Sequence, residues 1–118
     1  FDIEDALIEA LDIPVFHDDQ HGTAIIIAAS LLNALTIQHK KIEDVRVVCL
    51  GTGAAGISSM KLLQALGADP EKLFMIDRNG IIQSERTDLN RYKQAFAVHT
   101  DKRTLEDAMD GADVFIGV

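Results

Sequence analysis

The chain has 118 residues, 47% hydrophobic and 25% charged with only two prolines, which is one domain's worth of ordinary globular sequence, neither disordered nor fibrous. Its 19 acidic residues outnumber 11 basic ones for a formal net charge of −8, which argues against nucleic acid and anionic membrane as partners, since both are themselves negative. The single cysteine, Cys49 in the apolar run VRVVCL, excludes an internal disulfide and predicts a buried thiol in a reducing compartment, hence a cytoplasmic protein.

In chain order, residues 4–11 (EDALIEAL) have the spacing of a short amphipathic helix, and Pro14 ends it by driving Ile13 towards an extended conformation. The stretch PVFHDDQHG then gathers titratable groups: Asp18 and Asp19 side by side, flanked by His17 and His21. Pro14 and Gly22 predict a loop there. Thr23 is the expected N-cap of the run TAIIIAASLLNALTI, which is apolar nearly all round. Such a pattern predicts a helix buried on most faces or packed between two domains. Ser30 and Asn33 interrupt the run, which falls short of the roughly 18 residues of a membrane span, and no secretory leader is seen. QHKKIED is a polar connection.

The next segment has a sharper signature. VRVVCL, 45–50, is a β-branched run of the buried parallel-strand kind; GTGAAG follows at once, then AGISSMKLLQALG with helical spacing and a Gly67 stop. LFMID, 73–77, is a second such strand. Strand, glycine turn, helix and strand make a right-handed βαβ unit. RNGIIQSER reads as a loop or small extension. Asp88 is predicted to cap a helix through LNRYKQAFA, Thr104 with Asp107 to cap another through LEDAM, and GADVFIGV to supply a further strand. The fold class is therefore α/β: a Rossmann-type dinucleotide-binding domain, its sheet mainly parallel, with helices on both faces.

Gly51-Thr52-Gly53-Ala54-Ala55-Gly56 fits G-x-G-x-x-G in the required strand-to-helix context. The first glycine permits the tight turn, the second lets the backbone approach a pyrophosphate, and the third lets the helix pack on the strand. The helix start offers free N–H groups and a positive dipole end. Asp77 closes the second strand where a ribose-binding acid belongs. It favours NAD, because a carboxylate accepts a 2′-OH and repels a 2′-phosphate; Arg78 next to it could instead pair with that phosphate, so both NAD and NADP stay open.

In an extended segment neighbouring side chains point to opposite sides, so Asp18 and Asp19 are expected to take two roles rather than share one ion. Oxygen ligands suit Mg²⁺ or Mn²⁺, and Mg²⁺ takes one or two carboxylates, leaving places for substrate and water. The competing reading is that one of the pair merely caps the following helix. His17 and His21 have the H-x-x-x-H spacing of zinc ligands, but that geometry needs a helix beneath them, which the loop reading denies.

IPVFHDDQHGTA, followed by an apolar helix, GTGAAG, MID and GADVFIGV, closely resembles the cofactor domain of bacterial malic enzymes, over essentially the whole chain. The resemblance implies oxidative decarboxylation of L-malate to pyruvate and CO2, with NAD or NADP reduced and Mg²⁺ or Mn²⁺ required. It implies that Asp19 binds the metal, that Asp18 lies beside the reacting centre and helps hold the proton-transfer groups, and that Gly51, Gly53, Gly56 and Asp77 hold the cofactor. On this basis residues 1–38 form a segment on the metal and substrate side and 39–118 the NAD(P)-binding domain, cut short at its C-terminus. A homo-oligomer, dimer or higher, is expected.

Departures from the family's pattern matter too. Its other metal ligands are an adjacent Glu-Asp pair; Glu4 and Asp5 lie too close to Asp19 to be that pair. The family's catalytic lysine and tyrosine are expected ahead of Phe1 and its substrate-side asparagines beyond Val118. The chain is thus expected to be part of a longer protein and inactive alone. Two other readings are a different Rossmann dehydrogenase, of the amino-acid or folate type, and a non-catalytic dinucleotide-sensing module.

Overall fold

In the computed structural model, which describes residues 1–118, the apolar runs form β1 (Val47–Leu50), β2 (Leu73–Asp77) and β4 (Val114–Gly117), with a two-residue β3 (Gly80–Ile81). The helices are α1 (Asp2–Ala10), α2 (Asp18–Ile37), α3 (Ala54–Ala65), α4 (Arg91–Gln94) and α5 (Leu105–Met109). The sheet order is β3-β2-β1-β4, with β1 parallel to both β2 and β4 and β3 an antiparallel edge. The chain leaves β1 for β2 on one side and returns to its other side for β4, a reversal that opens a crevice at the strands' C-terminal ends.

Strand alternation divides the core in two. Val47, Cys49, Leu73 and Met75 join Ile57, Met60 and Leu63 of α3 and Ala28, Leu31 and Leu35 of α2. Val48, Phe74 and Ile76 turn the other way, against Val98 and Ala108 of α5. Cys49 pairs in register with Met75 and Val48 with Phe74, which keeps each set on its own face. Helices cover both faces as expected. Met60 and Leu63 are fully buried, and each such side chain contributes about 1.5–3 kcal/mol. Gly67, at φ +107°, stops α3: its N–H donates to Gln64 O and that of Ala68 to Leu63 O, both at 3.0 Å. Thr104 and Asp107 form the expected reciprocal cap on α5.

Several expectations are corrected. The helix expected from Thr23 begins at Asp18, with His17 as its N-cap in extended backbone; Thr23 caps nothing. Two carboxylates in a first turn suit the positive dipole end, and that outweighs the loop tendency of Gly22. The helix is also not buried on most faces. Its buried residues are Gln20, which turns towards α1, and a stripe of Ala24, Ala28, Leu31 and Leu35 facing α3, while Ile25 and Ile26 remain 54% and 67% exposed. Lengthened to 20 residues, α2 becomes long and apolar enough to cross a membrane by length and composition, as core helices of globular domains also can be. Asp88 does not cap α4; Asn90 does, its side chain accepting from Tyr92 N and Lys93 N, and the helix is a single turn. Finally the strand expected from 45 starts at Val47.

Candidate functional site

The glycine loop crosses the C-terminal end of β1, and each glycine answers to a different neighbour. Gly51 sits at φ +125°, and a Cβ there would lie 2.2 Å from Val118 O. Gly56 packs so closely that a Cβ would meet Gly51 O at 2.1 Å. Gly53, the N-cap of α3, has no atom within 4 Å of where a Cβ would stand. That gap is open to a ligand. No side chain caps α3 and its first turn holds no acid, so its free N–H groups and dipole end face the gap, with only small Thr52, Ala54 and Ala55 around it. A cleft of about 380 Å³ runs from Gly51 and Thr52 past Ile76 to Asp77, Arg78 and Lys93. The geometry is that of a pyrophosphate cradle, and a dinucleotide fits it.

Asp77 ends β2 as expected, but it is not free. Arg86 donates to it bidentately at 2.9 and 3.1 Å, Lys93 Nζ at 2.7 Å and Asn79 N at 2.9 Å. Burial raises its pKa, but the bonds from Arg86, Lys93 and Asn79 outweigh that and hold the carboxyl at about 2. Arg86 also bonds Asp88, which explains why Asp88 is drawn away from α4; the guanidinium is raised by Asp88 first and Asp77 second. Lys93 and Arg86 were missed from sequence. Arg78 is exposed and faces the same cleft. Cys49 lies under the loop, its thiol bonded to Gly51 O at 3.5 Å and pushed by burial up to about 11, which makes it inert packing as expected.

The first turn of α2 directs its side chains in three ways. Gln20, 3% exposed, and His21 turn towards α1, where Glu4, 7% exposed, accepts from both: Gln20 Nε2 on Oε2, and His21 Nε2 at 2.6 Å on Oε1. Asp19 points out, 80% exposed, with His17 Nε2 at 3.7 Å. Asp18 folds back along the helix over Gly22. Neighbouring residues on a helix are about 100° apart rather than opposite, so the two carboxylates still diverge, for a different reason from the one expected. His21 lies on the helix and His17 is its extended N-cap, and the two rings do not converge. His17 Nδ1 donates to Gln20 Oε1 at 2.9 Å, and His21 is held by Glu4. Glu4 and Gln20 gave no sequence signal beyond helical spacing, because their pairing spans two helices.

For a divalent ion the donors present are incomplete. Asp19 presents an exposed carboxylate, but no group of three or more His, Cys, Asp or Glu is placed to hold a metal ion.

An open, mainly parallel sheet with a glycine cradle at its switch point and an acid closing the next strand defines a Rossmann-type dinucleotide-binding domain. Residues 20–116 match the family described as malic enzyme, NAD binding domain, and the chain belongs to that family. It is 63% identical, over its whole length, to an NADP-dependent malic enzyme of Halomonas elongata, and 52% identical to an NAD-dependent malic enzyme of Geobacillus stearothermophilus. It spans 28% and 25% of those proteins. The crystal structure of Entamoeba histolytica malic enzyme superposes with a TM-score of 0.92 at 37% identity, covering 98% of this chain and 26% of that one.

Proposed function

We propose that the chain is the dinucleotide-binding part of a malic enzyme, oxidising L-malate with NAD(P)⁺ and releasing CO2 to leave pyruvate. The observation that carries this reading is the open Gly53 gap at an uncapped helix start, in a chain that also presents the exposed carboxylates of the FHDDQHGTA turn.

When bound, the nicotinamide ring supplies a hydride acceptor. The chain's contribution is mainly placement. The N–H groups at the start of α3 hold the pyrophosphate, and Gly56 fixes the helix against β1 so that they do not drift. Asp18 stands beside the reacting malate and holds the proton-transfer groups that take the hydroxyl proton as hydride leaves C2. Loss of the distal carboxylate as CO2 then leaves its bonding pair on C3, and protonation there completes pyruvate. Asp19 would give one ligand to Mg²⁺ or Mn²⁺, the rest coming from outside this chain; such an ion stabilises developing charge on oxygen.

The surroundings of Asp77 favour NADP. Two cations neutralise it and four hydrogen bonds fill its acceptor positions, so it is poorly placed to accept a ribose 2′-OH and repels a 2′-phosphate weakly. Lys93 and Arg78 at the same end of the cleft suit that phosphate. The exposed Ile25, Ile26 and Phe16 suit contacts with another domain or subunit of a homo-oligomer, and the reduced, buried Cys49 suits a cytoplasmic enzyme. Steady-state kinetics of the full-length protein test the reading: L-malate should drive reduction of NADP⁺ better than NAD⁺, and only with Mn²⁺ or Mg²⁺ present. A folded protein that binds NADPH but reduces neither cofactor with malate would overturn it.

A further inference from the structure

Glycine inside a helix is destabilising relative to alanine, yet Gly22 lies within α2, one turn after Asp18. Residues four apart share a helix face. If Gly22 carried a Cβ, its three nearest neighbours would all belong to Asp18: Oδ1 at 1.9 Å, Cγ at 2.8 Å and Oδ2 at 3.4 Å. The carboxylate therefore lies directly over the bare Cα of Gly22. It heads a hollow of about 460 Å³ that runs on past Thr23 and Ile26 along the exposed flank of the helix. The backbone of the same turn is fixed independently, because Gln20 and His21 are pinned to the buried Glu4 of α1. Backbone held on one side and a notch cut on the other leave Asp18 a defined seat.

We propose that Gly22 is a positioning residue whose missing side chain is the seat of the Asp18 carboxylate, aiming it at the substrate. This rests on the reading of Asp18 as a group beside the reacting malate. Its backbone lies in ordinary helix, so the requirement is not conformational; what excludes other residues is the space Asp18 occupies. Alanine at this position would keep the helix and force the carboxylate into another rotamer. A displacement of about 1 Å of a reacting group lowers rate by up to about 100-fold.

The test is a double-mutant cycle in the full-length protein with Gly22→Ala, Asp18→Ala and both together, reading kcat, the KM for malate, the NADPH dissociation constant and Tm. Gly22→Ala should leave Tm equal or raised and NADPH binding within about twofold, while kcat falls about 10- to 100-fold. On the Asp18→Ala background it should remove nothing further. Full activity in Gly22→Ala while Asp18→Ala is crippled would overturn the proposal and leave the functional reading standing. An equal loss from Gly22→Ala on both backgrounds would also overturn it, as would a clear fall in Tm, since the Cβ would then be meeting something other than Asp18. Full activity in Asp18→Ala would remove the reading on which the proposal rests.

Discussion

Adding one methyl group at Gly56 and one at Gly53 should have opposite effects. At Gly56 the new Cβ would stand 2.1 Å from Gly51 O, a backbone atom that cannot swing aside. Reaching an ordinary contact of 3.4 Å requires α3 to back away from the loop by about 1.3 Å. That helix delivers Ile57, Met60 and Leu63 to the core, so overpacking should cost about 1–3 kcal/mol, partly offset by about 1 kcal/mol of helix propensity. At Gly53 nothing lies within 4 Å and the backbone angles, φ −80° and ψ −166°, suit alanine. Gly53→Ala should fold with unchanged Tm. Its methyl group would nevertheless occupy the gap through which a phosphate reaches the N–H groups of α3. Losing one charge-assisted hydrogen bond costs about 1.5–3 kcal/mol, or roughly 10- to 100-fold in affinity. Calorimetric unfolding and NADPH fluorescence titration of the full-length variants separate the two effects. Wild-type NADPH affinity in Gly53→Ala, or a raised Tm in Gly56→Ala, would refute the assignment of the loop.

Asp77, held at about 2 against an ordinary 3.8, adds about 2 kcal/mol of stability that is complete above about pH 4 and lost as pH falls through 2. Urea unfolding between those limits should show a slope lower by up to about 1.4 kcal/mol per pH unit in Asp77→Asn; an unchanged slope would contradict the ion pairs with Arg86 and Lys93. Lys93→Ala should lower kcat/KM for NADP⁺ about 10- to 100-fold while NAD⁺ changes little, a difference read directly from steady-state rates. Glu4→Ala strands the buried amide of Gln20 and should destabilise by about 1–3 kcal/mol in urea unfolding, with Glu4→Gln recovering part because it still accepts one bond.

The βαβ unit was legible because its signals are local: a β-branched run, three glycines at fixed offsets and a Gly67 stop each state their own geometry. The capping box of Thr104 and Asp107 was legible for the same reason. What escaped were pairings between distant residues. Asp77 looked like a free ribose ligand because Arg86 and Lys93 lie 9 and 16 residues further on and reach it only after the chain folds back. The start of α2 was misplaced because His17 is an unusual N-cap and Gly22 reads as a breaker, when its role is to make room for Asp18. Nor does hydropathy say which apolar faces a chain covers itself: burial on most faces and packing between two domains are the same pattern in the sequence, and within this chain only one stripe of α2 is covered. Asp88 and Asn90 are both good caps, and the pull of Arg86 on Asp88 decided between them.

Whether the cradle and the carboxylate turn serve one oxidative decarboxylation is tested most directly by product stoichiometry. The full-length protein would be incubated with L-malate labelled at the carboxylate next to the methylene, NADP⁺ and Mn²⁺, and labelled CO2, pyruvate and NADPH counted together. One of each per turnover is expected, with Asp19→Ala abolishing all three while NADPH binding persists. NADPH formed with oxaloacetate and no CO2, or turnover undiminished in Asp19→Ala, would contradict it.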